Sequence, residues 1–187
     1  MKRVAFLGLL IVSLAPAAAH ADAIDDNTLC YEQFRTGNDR AAVNYCTKAI
    51  ESKQLATEDL VAALINRGVA FRNLGQPKRS VVDYTEALKY APNDAMIYAN
   101  RANALRDIGE FDRALADADK AVKIDGSRAA SFYVRGAVFE AENHFDSARR
   151  DYMKALTLDP KNRDYQDHIL AVDAKLARKA QQGGGAR

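Results

Sequence analysis

Cysteine and histidine are nearly missing from this chain, with two of the first and three of the second among 187 residues. Metal centres gather His, Cys, Asp or Glu at short helical or loop spacing. His20, His144 and His168 lie far apart and Cys30 and Cys46 form no C-x-x-C pair, so no metal, cofactor or thiol redox centre is expected. A G-x-S-x-G elbow, a phosphate loop and an isolated carboxylate pair are also lacking, and the chain is not read as an enzyme. Long hydrophobic runs are limited to Val4–Leu14, shorter than the roughly 20 apolar residues a permanent membrane helix needs. Preceded by Met1, Lys2 and Arg3 and followed by Ala19, His20 and Ala21, that run has the three regions of a secretory signal, 1–21, cut after Ala21. The reading is export, to a periplasm, with no stable membrane span. Cys30 lies too far beyond the cut to carry a lipid.

An excess of one charge is lacking as well. The 27 basic and 25 acidic residues become 25 and 25 once Lys2 and Arg3 leave with the signal, which argues against nucleic acid as a partner. A small basic patch, Lys175, Arg178 and Lys179, reads as the solvated, dipole-favourable end of a helix.

What the sequence has is a register. Gly68, Ala102 and Gly136 are equally spaced, and the same interval separates Ala87, Ala121 and Ala155, and Pro92, Gly126 and Pro160. A fixed interval of this size means that one supersecondary unit is copied and stacked. The units are 61–94, 95–128 and 129–162, and each reads as two helices. In the first, Leu64 and Phe71, Tyr98 and Leu105, and Phe132 and Phe139 stand seven apart on one face with the small residue between them. Gly75, Gly109 and Asn143 then supply residues that tolerate the left-handed turn. The second helices carry Ser80, Tyr84 and Ala87; Ala114, Ala118 and Ala121; and Ala148, Tyr152 and Ala155, with small residues that let helices approach.

In these positions the chain resembles tetratricopeptide repeat proteins, 129–162 most closely through Phe132, Gly136, Phe139, Ala148, Tyr152, Ala155 and Pro160. The resemblance implies an all-α, right-handed α-solenoid of antiparallel helix pairs. A degenerate N-terminal repeat over 22–56 aligns Gly37, Ala42, Cys46 and Ala49 with Gly109, Ala114, Ala118 and Ala121. Its segment from Glu51 to Ala56 adds four residues before Thr57, Glu58 and Asp59 offer a cap and acidic first turn for the next helix. A C-terminal capping helix is expected over 163–180, with Tyr165, Ile169, Val172 and Leu176 as its apolar stripe, and a disordered tail over 181–187. The repeat alignment sets Cys30 and Cys46 on facing helices of the first unit, and in an oxidising compartment they are expected to form a disulfide.

Two charged series share the period. Arg67, Arg101 and Arg135 stand where the family prefers leucine, and Asp83, Asp117 and Asp151 follow them at one constant offset. That constancy predicts structural ion pairs between adjacent helices, since arginine's planar fork suits a carboxylate. The other reading of the series is a row of cations for anionic ligands.

The resemblance also implies a concave, peptide-binding groove. Its positions carry over to Asn66, Val69, Arg72 and Asn73, then Asn100, Asn103, Arg106 and Asp107, then Tyr133, Ala137 and Glu140. Amides such as Asn66 and Asn100 can serve both backbone groups of a peptide, or bond only to neighbouring repeats, and Arg72 and Arg106 can hold a carboxylate. The lysines that mark the two-carboxylate clamp of cytosolic chaperone adaptors are absent. The expected function is an exported adaptor or scaffold binding protein or peptide in the cell envelope. The alternative is a structural subunit of an envelope assembly, joined through the convex face or the capping helix.

Overall fold

The computed structural model describes residues 15–184, with side chains from 22 to 182. Nine α-helices and no strand occur among the described residues: α1 (Ala15–Arg35), α2 (Asp39–Glu51), α3 (Thr57–Asn73), α4 (Pro77–Tyr90), α5 (Ala95–Asp107), α6 (Phe111–Ile124), α7 (Ala129–Ala141), α8 (Phe145–Leu158) and α9 (Arg163–Gly184). Successive helices pair as α1/α2, α3/α4, α5/α6 and α7/α8, α9 closes the end, and the stack is an all-α solenoid.

The turns inside the pairs follow from residue type. Gly37, Gly75, Gly109 and Asn143 sit at φ of 74, 73, 78 and 61°, where a bulkier side chain would strain the backbone. Starts are more varied. Pro77 opens α4, a place where its missing N–H costs nothing, and the Asp94 carboxylate accepts from the Met96 and Ile97 amides at 2.7 and 3.3 Å to cap α5. Thr57 does not cap α3. Ala56 holds the extended cap position without a side-chain bond, which makes Thr57 the first helical residue, while Glu58 and Asp59 do lie in the first turn.

The core is a spine of four variations on one contact, each joining positions at the same separation along the chain. In the first pair it is a disulfide between Cys30 and Cys46, with Cα atoms 4.7 Å apart. In the second and fourth a glycine faces a buried tyrosine: a Cβ on Gly68 would stand 2.6 Å from Tyr84 Cε1, and one on Gly136 2.8 Å from Tyr152 Cε1. In the third both partners are alanines, Ala102 and Ala118, fully buried in one cluster. The bulky positions are less uniform than their spacing suggests: Leu64, Phe71, Leu105 and Phe132 are buried, whereas Tyr98 and Phe139 are only half-buried.

The arginine and aspartate series lie beside this spine. Arg67 donates through Nε and Nη2 to the two oxygens of Asp83 at 2.9 and 2.7 Å, Arg101 to Asp117 at 2.6 and 2.8 Å, and Arg135 to Asp151 at 2.7 and 2.9 Å. The remaining Nη1 of each reaches the preceding repeat, to Thr47, Thr85 and Asp119 at 3.1, 3.1 and 2.9 Å. One guanidinium thus ties three helices. Burial pushes the Asp83 carboxyl up despite its Arg67 partner, and the Asp117 bond holds Arg101 above its usual range. The first repeat has Leu29 and Tyr45 in these positions, so there the disulfide is the only cross-helix tie of this kind among the described residues.

Two buried hydroxyls, Ser80 Oγ and Ser131 Oγ, have no hydrogen-bond partner among the described residues. Ser80 stands in register with Ala114 and Ala148. Removing an unpaired buried hydroxyl ends its desolvation cost, so Ser80→Ala is expected to raise stability by about 1 kcal/mol, as read from thermal melts.

At the ends the expected boundaries shift. Residues 1–14 of the signal lie outside the described residues, and the expected cut after Ala21 falls within α1. Helix α9 runs past Ala180 to Gly184, because Gln181 and Gln182 extend the hydrogen-bonded backbone without needing a packed face; 185–187 lie outside the described residues.

Candidate functional site

The inner wall of the stack is made of α1, α3, α5 and α7, the first helices of the four pairs. The groove positions divide there into three groups. Asn66, Asn100 and Asn103 are half-buried, and among the described residues their amides make no side-chain hydrogen bond. No bond to a neighbouring repeat occupies them.

The second group is charged. Arg72 Nε donates to Asp107 Oδ2 at 2.6 Å and Arg106 Nη2 to Asp107 Oδ1 at 3.1 Å, so one carboxylate serves two guanidiniums and a positive charge is left over. Arg72 Nε bridges α3 to α5 across the repeat boundary. The charges of Arg106 and Arg72 are both felt at the Tyr133 hydroxyl, although burial is what chiefly raises it. At the outer edge Asn73 Nδ2 donates to Asp39 Oδ1 at 3.1 Å, which ties the second repeat to the first.

The third group is already engaged. Val69 packs on the cluster of Leu64 and Tyr84, and Ala137 is buried with Tyr152 and Val172. Tyr133 shares a 2.9 Å hydrogen bond between its hydroxyl and His168 Nε2, and its ring lies 5.2 Å from that of Tyr165. Glu140 accepts from Lys175 Nζ at 2.7 Å and from the Tyr152 hydroxyl at 2.6 Å, with His168 Nδ1 at 3.5 Å. Helix α9 is therefore docked on groove positions of the last repeat by polar contacts as well as by its apolar stripe, in which Tyr165 and Val172 are buried. Lys175 is part of that contact, whereas Arg178 and Lys179 are exposed. A cavity of about 350 Å³ remains between Arg106, Tyr133, Glu140, Tyr152, His168 and Lys175.

Burial favours the protonated form of Glu140, but the Lys175 ammonium and Tyr152 hydroxyl, helped by His168, outweigh it and hold the carboxyl below its ordinary 4.5. A depressed acid contributes stability above its unfolded value and loses it as pH falls through the folded one. The protection of α9 amides, measured as exchange relative to an unstructured chain at the same pH, is accordingly expected to fall as pH drops below 4.5, and Glu140→Gln to remove most of that dependence. The Tyr133 and Tyr152 hydroxyls facing Glu140 are raised and stay neutral throughout this range.

Residues at both ends extend the wall beyond the positions carried over from sequence. Ile24 and Tyr31 of α1 align with Ala62 and Val69 once the repeat period is lengthened by the four-residue insertion, and they are about half exposed at 49 and 56 %. His168 and Lys175 complete the other end. Each follows its groove partner by 35 residues, one out of register, so the strict period passes over them.

One tetratricopeptide repeat family model matches residues 61–94 and 129–162, and a second of the same description matches 83–116. This chain carries tetratricopeptide repeats. Among solved structures, MamA residues 41 to the end from Desulfovibrio magneticus RS-1 is 22 % identical, covering 83 % of this chain and 86 % of that one with a TM-score of 0.69. The first repeat domain of human RPAP3 is 25 % identical over 65 % of this chain and 95 % of that one, TM-score 0.62. The corresponding domain of Spaghetti (RPAP3), bound to the HSP90 peptide SRMEEVD, is 25 % identical over 63 and 93 %, TM-score 0.58. No curated protein matches the sequence. The right-handed tetratricopeptide superhelix is thus the architecture in which α3 and α5, the helices that carry Arg72, Arg106 and the three asparagines, stand as neighbours. Among the described residues no group of His, Cys, Asp and Glu is placed to hold a metal ion, and no helix is long and apolar enough to cross a membrane.

Proposed function

We propose that this protein is an exported, non-catalytic adaptor that binds a peptide segment of a partner protein along the concave groove, in a bacterial cell envelope. The observation that carries the reading is the pair of guanidiniums, Arg72 and Arg106, sharing the single carboxylate of Asp107 beside the unbonded amides of Asn66, Asn100 and Asn103. An extended peptide presents an N–H and a C=O at each residue, and an asparagine amide can satisfy one of each. A carboxylate on the ligand would neutralise the leftover charge. A solved relative of this fold that holds a peptide supports such use of the surface. Export is supported by the signal-like segment 1–21 and by the Cys30–Cys46 disulfide, since such bonds persist in oxidising compartments.

Envelope extract passed over the immobilised protein tests this. Replacing Asn66, Asn100 and Arg106 together by alanine is expected to lose the retained partners while the melting curve stays within a few degrees, these side chains being outside the packed spine. Retention of every partner favours the assembly subunit instead. One observation speaks for that second reading: Val82 and Leu170 lie on outer surfaces of the stack, 68 and 67 % exposed.

A further inference from the structure

The first repeat is followed by a longer interval than the others: Ala42 to Ser80 exceeds the equal steps from Ser80 to Ala114 and from Ala114 to Ala148. The four additional residues lie between α2 and α3, and beside them is a cavity of about 480 Å³ lined by Ile50, Leu55, Leu60, Leu64 and Tyr90. Its size is that of a small-molecule site, and its walls are aliphatic with one aromatic ring. The cavity is separate from the concave groove and from the pocket at α9.

Two charged residues reach it, Glu86 and Lys53. Glu86 is held by Lys89 at 2.6 Å. Lys53 forms no ion pair among the described residues, and its backbone is left-handed at φ 58°, an arrangement costly for a lysine. The loop enforces it. Ser52 Oγ donates to the Ala49 carbonyl at 2.6 Å and accepts from the Gln54 amide at 3.2 Å, while the Lys53 amide bonds to the Ile50 carbonyl at 3.2 Å. Every other positive φ among the described residues falls on glycine or asparagine, so the period break has placed a strained, uncommitted cation at the mouth of an apolar chamber.

We infer that this chamber binds a small amphiphilic anion, with a hydrocarbon body between Leu55, Leu60 and Leu64 and a carboxylate or similar head against Lys53. Charge complementarity selects this occupant over a neutral apolar one: burying the body uses the walls, and the head meets Lys53, the one cation among the lining residues and one with no ion pair among the described residues, while the Glu86 carboxylate is held by Lys89.

Decanoate is the probe, titrated into the full chain with its disulfide intact and followed through the leucine methyl signals by NMR, with decanol as the uncharged comparison. Saturable shifts at Leu55, Leu60 and Leu64 are expected for both, with decanoate the tighter. Lys53→Gly relieves the left-handed strain, so it should raise the melting temperature and yet weaken decanoate about tenfold, the effect of one lost charge-assisted contact, while leaving decanol unchanged. Leu55→Asp should abolish both titrations in a protein that still melts cooperatively. Shifts that spread over the chain without saturating, or decanoate binding that Lys53→Gly and Leu55→Asp leave intact, would overturn the inference. So would a chamber that takes decanol as tightly as decanoate.

Discussion

Asp117→Ala is expected to lower the melting temperature by about 6–12 °C. The carboxylate is the sole partner of Arg101 Nε and Nη2, and its loss leaves a guanidinium whose side chain is only 18 % exposed facing an alanine. Stranding one member of a buried pair costs about 3–5 kcal/mol, and the residual solvent access of Arg101 places this case near the lower figure. For a chain of this size each kcal/mol moves the midpoint by about 2–4 °C. The same bond holds α5 to α6 while Nη1 holds α5 to Thr85 of α4, so the damage is not confined to one repeat. A double replacement is the informative control. Arg101→Leu with Asp117→Tyr copies the residues at these positions in the first repeat, Leu29 and Tyr45, and should recover most of the loss, since exchanging an ion pair for apolar packing is often neutral. An unchanged melt for Asp117→Ala would mean that the guanidinium finds water or Thr85 sufficient, and the ladder would then be free to serve anionic ligands.

The repeat made most of the scaffold legible in the sequence, and the reason is physical. Stacked copies must bury the same face, so Gly68, Ala102 and Gly136 or Arg67, Arg101 and Arg135 betray their role by recurring. Residues that act once have no such signature. The docking of α9 through His168 and Lys175 falls one residue out of register because a capping helix needs only to cover a surface and has no following repeat to match. Groove positions suffer the converse ambiguity: the period says that Asn100 and Glu140 line one wall, but only the packing shows that Glu140 is bonded to Lys175 and Asn100 to no side chain. The chamber at Lys53 was visible solely as four surplus residues, since a cavity is a property of neighbours and not of any one side chain.

Gly68→Ala is expected to change sign with its surroundings. In the native chain the new Cβ would meet Tyr84 Cε1 at 2.6 Å and Cζ at 2.8 Å, and the ring, 1 % exposed, has no room to retreat. Overpacking of this kind costs about 1–3 kcal/mol, more than the roughly 1 kcal/mol that alanine gains over glycine inside a helix. That deficit explains why a helix interior tolerates glycine here at all. Tyr84→Ala alone should cost more, about 3–5 kcal/mol, because it leaves the space of a buried ring between α3 and α4. With both changes the contact becomes the Ala102 and Ala118 pair that the third repeat already uses, fully buried and without a clash. In the Tyr84→Ala background, Gly68→Ala should therefore stabilise by up to about 1 kcal/mol, giving a coupling of about 1–3 kcal/mol, the overpacking cost itself, in a double-mutant cycle from denaturant melts. Additive costs would show that Gly68 is set by backbone freedom and not by the tyrosine. The same contact sets how far α3, which carries Asn66 and Arg72, stands from the helix behind it. Partner retention by the doubly changed protein then reports whether the groove tolerates the alanine geometry that its neighbouring repeat adopts.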